Sequence, residues 1–142
     1  MGVKIARAWI AAVACLGLNA AHAADKPCTK TDAANAEKAI DRVLGWPQLQ
    51  KAWQDYKHCD TGAVADLYTD ALMRLMTDWK GMDALASSMQ KDAQYKEFLY
   101  AHIKSPAAKD DYAMVYSRAR TGCPKDLDEF CAELADTVKP SK

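Results

Sequence analysis

Between Ala63 and Trp79 the apolar positions fall at three-and-four spacing. Val64, Leu67, Tyr68, Ala71, Leu72, Leu75, Met76 and Trp79 recur on one side, while Asp66, Asp70, Arg74 and Asp78 fall elsewhere. A period near 3.6 residues is that of an amphipathic helix. Asp60 or Thr61 is placed to cap its start and Gly81 to close it. Burying such a stripe, at ~25 cal/mol per Å² of apolar surface, makes this helix the expected organiser of the core.

Weaker forms of the same pattern lie on either side. Thr31 to Leu44 carries Ala33, Ala36, Ala39, Ile40, Val43 and Leu44, with Thr31 or Asp32 as a cap and Gly45 as a stop. Pro47 suits a first helical position, and Leu49, Ala52, Trp53 and Tyr56 extend a second helix to about Lys57. After the central helix, a short helical turn is expected over Met82 to Met89. A longer helix follows over Asp92 to Lys104, through Tyr95, Phe98, Leu99, His102 and Ile103. Ser105-Pro106 ends it, and Lys109 to Thr121 restarts the pattern through Tyr112, Val115, Tyr116 and Ala119. Asp126 is the expected cap of a last helix bearing Leu127, Phe130, Cys131, Leu134 and Val138. No alternating run bounded by turn residues argues for a strand. The predicted class is all-α, a compact bundle of six to seven short helices.

The first residues follow another logic. Lys4 and Arg7 precede an apolar run from Ala8 to Leu18, and Ala21-His22-Ala23 offers small residues for cleavage, so residues 1–23 are expected to be a secretory signal and 24–142 a single helical domain. The apolar run is shorter than the roughly 20 residues a helix needs to cross a bilayer core, and no other segment predicts a membrane span. Ala12-Val13-Ala14-Cys15 loosely resembles a lipidation site but lacks the large residue expected three positions before the cysteine. Removing residues 1–23 changes a balance of 19 basic and 19 acidic groups to 17 and 19, without the basic excess that binders of nucleic acid use against phosphate.

Four cysteines remain: Cys28, Cys59, Cys123 and Cys131. An even number in a chain bound for an oxidising compartment predicts two disulfides. Of the three possible pairings, the helix pattern favours Cys28 with Cys59, across the open end of a helical hairpin, and Cys123 with Cys131, across one short connection. Closing a loop of about 30 residues stabilises by roughly 3–4 kcal/mol in the chain-entropy account. No Cys-x-x-Cys, haem-attachment or zinc-ligand spacing occurs, and neither a metal nor a cofactor is implied.

Candidate chemistry is thin. His102 lies on the apolar face of its helix, where a satisfied core histidine is the expected reading. His58 adjoins Cys59, but a disulfide would consume the thiolate that a thiol–imidazole pair needs. Asp66 with Asp70 and Asp110 with Asp111 read as solvated helix faces, and nucleophile-elbow, phosphate-loop and calcium-loop motifs are missing. No catalytic residue is assigned, and the chain is expected not to be an enzyme. The tryptophans at 46, 53 and 79 and six tyrosines exceed what a small helical core must bury, so some rings are expected to reach the surface, where an interface is a reasonable use, with core packing the expected reading of any single ring.

The run Cys59-Asp60-Thr61-Gly62-Ala63-Val64-Ala65-Asp66-Leu67-Tyr68, the helix ending at Trp79, the stretch from Phe98 through His102-Ile103, and the closing Cys123-Pro124 and Cys131 carry a resemblance. Together they resemble the periplasmic immunity proteins that neutralise type VI secretion amidase effectors. The resemblance implies a helical homodimer in the periplasm that binds a peptidoglycan-cleaving cysteine amidase and plugs its active-site cleft with a protruding loop. The segment chosen for that loop is Ser105 to Asp111, with Ser105, Pro106, Lys109, Asp110 and Asp111 as contact residues, because it is small, polar and set between two helices. Gly81 to Asp83 is the second choice. The alternative function is a periplasmic carrier or chaperone, motivated by six methionines and many rings suited to an apolar cavity.

Overall fold

The computed structural model describes residues 26–140; the expected signal segment and its cleavage after Ala23 lie outside the described residues. Seven α-helices follow one another: α1 (Lys30–Ile40), α2 (Trp46–Tyr56), α3 (Gly62–Asp78), α4 (Met82–Lys91), α5 (Ala93–Ile103), α6 (Tyr112–Thr121) and α7 (Asp128–Thr137). Short 3-10 turns occupy Lys57–Cys59 and Pro106–Asp111, and there is no strand among the described residues.

Helix α3 is the hub. It packs against α1, α2, α5, α6 and the Pro106–Asp111 turn, while α4 lies on α5 and α7 on α6. Val64, Tyr68, Ala71, Leu72, Leu75 and Met76 are buried as the pattern predicts, with Leu67 and Trp79 only partly covered. Thr69 and Met73 are buried as well. They lie outside the predicted stripe because α3 is covered on more than one side, and a helix enclosed by several neighbours buries more than a single face. No described helix is long and apolar enough to cross a membrane.

Helix ends depart from the sequence reading in informative ways. The first helix is capped by Thr29, not by Thr31 or Asp32: the Thr29 hydroxyl accepts from Asp32 N at 3.0 Å and the Asp32 carboxylate accepts from Thr29 N at 3.3 Å. This reciprocal arrangement satisfies two backbone donors at once. The helix ends at Ile40, so Val43 is buried from the following loop and Leu44, expected on the apolar face, is 81% exposed. Gly45 does not stop α1; it is the N-cap of α2. Thr61 caps α3 with no side-chain hydrogen bond, and Leu127, not Asp126, holds the N-cap position of α7.

Two indole hydrogen bonds fix the turn between α3 and α4. Trp46 Nε1 donates to the Lys80 carbonyl at 2.8 Å, and Trp79 Nε1 donates to the Gly122 carbonyl at 2.7 Å. Trp79 is left-handed at φ 57°, a conformation that bulky residues hold only when their surroundings over-determine it. Gly81 follows at φ 64°, and a Cβ there would meet Trp46 Cδ1 at 3.3 Å.

Both disulfides join the pairs the helix pattern favours. Cys28–Cys59 spans 31 residues and ties the start of α1 to the end of α2, with Cα atoms 4.9 Å apart. Cys123–Cys131 spans 8 residues and closes the link from α6 to α7, with Cα atoms 6.0 Å apart.

Two predictions follow from these ends. Loop-closure entropy gives the longer bridge about 3.5 kcal/mol and the shorter about 2.5 kcal/mol, so the Cys28→Ser/Cys59→Ser variant should lower the urea midpoint more than Cys123→Ser/Cys131→Ser does. The reverse order would contradict that account. Separately, the Thr29 hydroxyl bond, aided by Lys26, lowers the Asp32 carboxyl from 3.8 to about 2. A carboxyl depressed by folding stabilises above its unfolded value and loses that effect as pH falls through its folded value. The wild-type stability should therefore carry a component that fades between about pH 4 and about pH 2, and Asp32→Asn should flatten that part of an acid titration followed by circular dichroism. An unchanged slope would show that the cap contributes nothing.

Candidate functional site

The segment Ser105–Asp111 is not an irregular loop, and the next α-helix begins at Tyr112 instead of Lys109. Ser105 caps a 3-10 turn through its Oγ, which accepts from Ala107 N at 3.4 Å, and Pro106 supplies the first helical position. Ala108, 0% exposed, anchors the turn against α3. Tyr112 Oη donates across its base to the Ile103 carbonyl at 2.6 Å. With the backbone so held, Pro106, Ala107, Lys109 and Asp110 face solvent, and Ser105 and Asp111 are half-buried. The proline sets φ, and the small Ala108 allows close approach to α3; that combination is why the turn stays tight. The second candidate, Gly81 to Asp83, is the start of α4, fixed by Trp46 as described above.

A largely buried polar chain connects two otherwise separate parts of the sequence. Thr69 Oγ1 lies 2.8 Å from His102 Nδ1, and His102 Nε2 lies 3.1 Å from Asp60 Oδ2. Thr69 is 2% and His102 7% exposed. The Thr69 hydroxyl has one proton and stands between two acceptors, His102 Nδ1 and the Ala65 carbonyl, while His102 Nε2–H donates to Asp60 Oδ2. Thr69 Oγ1 also reaches the Ala65 carbonyl at 3.1 Å. Phe98 and Tyr68 cover the imidazole, with centroids 4.5 Å and 6.0 Å away. Hydroxyl, imidazole and carboxylate stand in the order of a hydrolytic triad, but the hydroxyl is sealed in the core, where no substrate carbon can approach it. The chain is the satisfied core histidine expected from the sequence. It also explains why Asp60 does not cap α3: its carboxylate is drawn to His102.

The remaining polar candidates stay apart. His58 Nε2 is 3.6 Å from Asp32 Oδ2, and Cys59 Sγ is committed to its disulfide. Asp66, Asp70 and Asp110 are exposed and Asp111 is half-buried. Among the described residues, no group of histidine, cysteine and carboxylate side chains is placed to hold a metal ion.

The aromatic rings divide between the core and its edge. Trp46, Trp53, Tyr68, Tyr95 and Tyr100 are buried, and Tyr56, Trp79, Tyr112 and Tyr116 are partly covered. Trp53 meets Tyr95 at 5.3 Å and Phe98 at 5.4 Å, and Tyr68 meets Phe98 edge-on at 5.2 Å. Such pairs contribute beyond the area they bury. Burial pushes the phenols of Tyr68, Tyr95 and Tyr100 above the ordinary tyrosine range.

A surface the sequence did not suggest lies between α4, α5 and α7. Ala86 and Met89 from α4 and Leu127 and Phe130 beside and within α7 form an apolar floor, and Lys96, Asp126, Glu129 and Glu133 stand around it. The groove encloses about 270 Å³. A shallower depression between α1 and α3 is bordered by Asp41, Asp70 and Arg74. The first could not be read from the sequence because its floor joins residues 86–89 to 127–130, segments whose spacing carries no periodic signal.

If the Thr69–His102–Asp60 chain is structural, His102→Ala should cost about 2–4 kcal/mol, combining a cavity with two stranded polar groups, as read by thermal or urea unfolding of the oxidised protein. A variant as stable as wild type would show that the chain contributes little. Comparison with family models, curated proteins and solved structures finds no match to this chain.

Proposed function

We propose that the chain is an exported immunity protein. It acts in the periplasm after removal of residues 1–23, binds a type VI secreted peptidoglycan amidase as a homodimer, and inhibits it by covering its active site. The observation that carries this reading is the rigid, exposed turn at Ser105–Asp111, anchored by Ala108 and bridged by Tyr112. An inhibitory plug must enter a cleft without losing much conformational freedom on binding, and a turn already fixed in the free protein meets that requirement. Pro106, Lys109 and Asp110 present the contact surface. Two disulfides suit an oxidising compartment, and the resemblance carried by Cys59 to Tyr68 supplies the class of target.

The carrier alternative draws less support. Of the methionines that motivated it, Met73, Met76 and Met82 are buried in the packed core.

The test mixes the oxidised protein, residues 24–142, with any amidase encoded beside it. A stable complex by size exclusion and loss of peptidoglycan hydrolysis are expected. Lys109→Glu/Asp110→Lys should weaken inhibition on the order of tenfold or more while leaving the melting temperature unchanged. Neither complex nor inhibition with that amidase would overturn the proposal, and full inhibition by the double variant would move the contact away from this turn.

A further inference from the structure

The groove between α4, α5 and α7 combines an apolar floor with an uneven charge around it. Lys96 Nζ is paired with Glu133 at 3.3 Å, so that pair presents little net charge to a ligand. Asp126 and Glu129 have no ion pair among the described residues and stand beside Met89 and Phe130. Asp126 is held left-handed at φ 65° inside the connection that Cys123–Cys131 closes, so the rim carboxylates are set on a braced segment. At about 270 Å³ the groove is slightly smaller than the roughly 300–1,000 Å³ of small-molecule pockets, a size that suits one anchoring side chain. Methionine and phenylalanine on its floor accept varied apolar shapes.

We propose that this groove receives a short cationic segment of a protein partner. An apolar side chain of that segment rests on Met89 and Phe130, and lysine or arginine on either side of it meets Asp126 and Glu129. The inference rests on the reading that the chain works by binding protein, and adds a second contact face distinct from the Ser105–Asp111 turn. Acidic segments and anionic lipid surfaces are repelled by the same two carboxylates.

The probe is the capped pentapeptide acetyl-Lys-Lys-Phe-Lys-Lys-amide, titrated into the oxidised protein at low salt and followed by NMR shifts of the Met89 methyl and the Phe130 ring. Saturable shifts at both are expected. The counterpart acetyl-Glu-Glu-Phe-Glu-Glu-amide should bind on the order of tenfold more weakly. Asp126→Asn/Glu129→Gln should lose a similar factor for the lysine peptide, and Lys109→Glu/Asp110→Lys should change nothing. Equal binding of the two peptides, shifts confined to other faces, or an undiminished response in the Asp126→Asn/Glu129→Gln variant would overturn the proposal. So would a concentration-dependent dimer dissolved by that variant, which would assign the groove to a second copy of this chain. No amidase enters the assay, so its failure leaves the inhibitor reading standing, and failure of inhibition leaves the groove standing.

Discussion

The burial of α3 on more than one side is the constraint from which the other packing follows. A helix of 17 residues is about 25 Å long, enough for α1, α2, α5, α6 and the Pro106–Asp111 turn each to find a place along it. Leu72, in its middle, is completely enclosed. Because neighbours cover α3 from different directions, each can be short. Their stability comes from tertiary contact with the central helix rather than from intrinsic propensity. The disulfides tie the surrounding helix ends, one of them at Cys59 just before α3 begins, and keep those ends together in the unfolded chain.

A core built this way has to accommodate polar groups where helices cross. Thr69 and His102 face each other across α3 and α5, and Asp60 closes the chain from just before α3 begins. Each contact relieves the cost of burying a group that would otherwise lack a partner. The arrangement also fixes the relative position of the two helices more sharply than apolar packing would, since a slide along either one breaks the hydrogen bonds. Asp60 follows directly on Cys59, so the disulfide and the polar chain meet in adjacent residues. The covalent tie on α1 and α2 and the noncovalent tie on α3 and α5 thus share one short connection. The turn at Ser105–Asp111 starts three residues after His102, and its position depends on the same alignment.

The sequence made the helices legible because period and breakers agreed: Val64 through Met76 fell on one face, and Pro47, Gly81 and Pro106 marked boundaries. The disulfide pairing was legible for the same reason, since two antiparallel helices bring Cys28 and Cys59 to one end. Caps were less readable. Several residues near each start can accept a hydrogen bond, and the choice depends on competition that local sequence does not record. Asp60 was diverted by His102, and Thr29 prevailed over Thr31 because Asp32 stood three residues beyond it. Leu44 was misplaced because α1 stops four residues earlier than its apolar period. Which rings the core takes and which it leaves partly open was not written in their spacing, and the α4–α7 groove had no periodic signature at all.

That division between legible and illegible features bears on how such a chain can recognise anything. The residues with pattern are spent on the scaffold, and the two surfaces proposed for recognition are made where elements meet: a 3-10 turn held by one alanine and one tyrosine, and a groove braced by a short disulfide loop. Neither surface needs a catalytic group, and both are held in place before a partner arrives. Binding energy is then limited by fit and charge rather than by the entropy of ordering a loop. An exposed turn on such a scaffold can exchange Lys109 or Asp110 for other side chains without disturbing Ala108, so the contact surface can vary while the fold stays fixed. The Thr69–His102–Asp60 chain cannot vary in the same way, because removing one member leaves another without its partner.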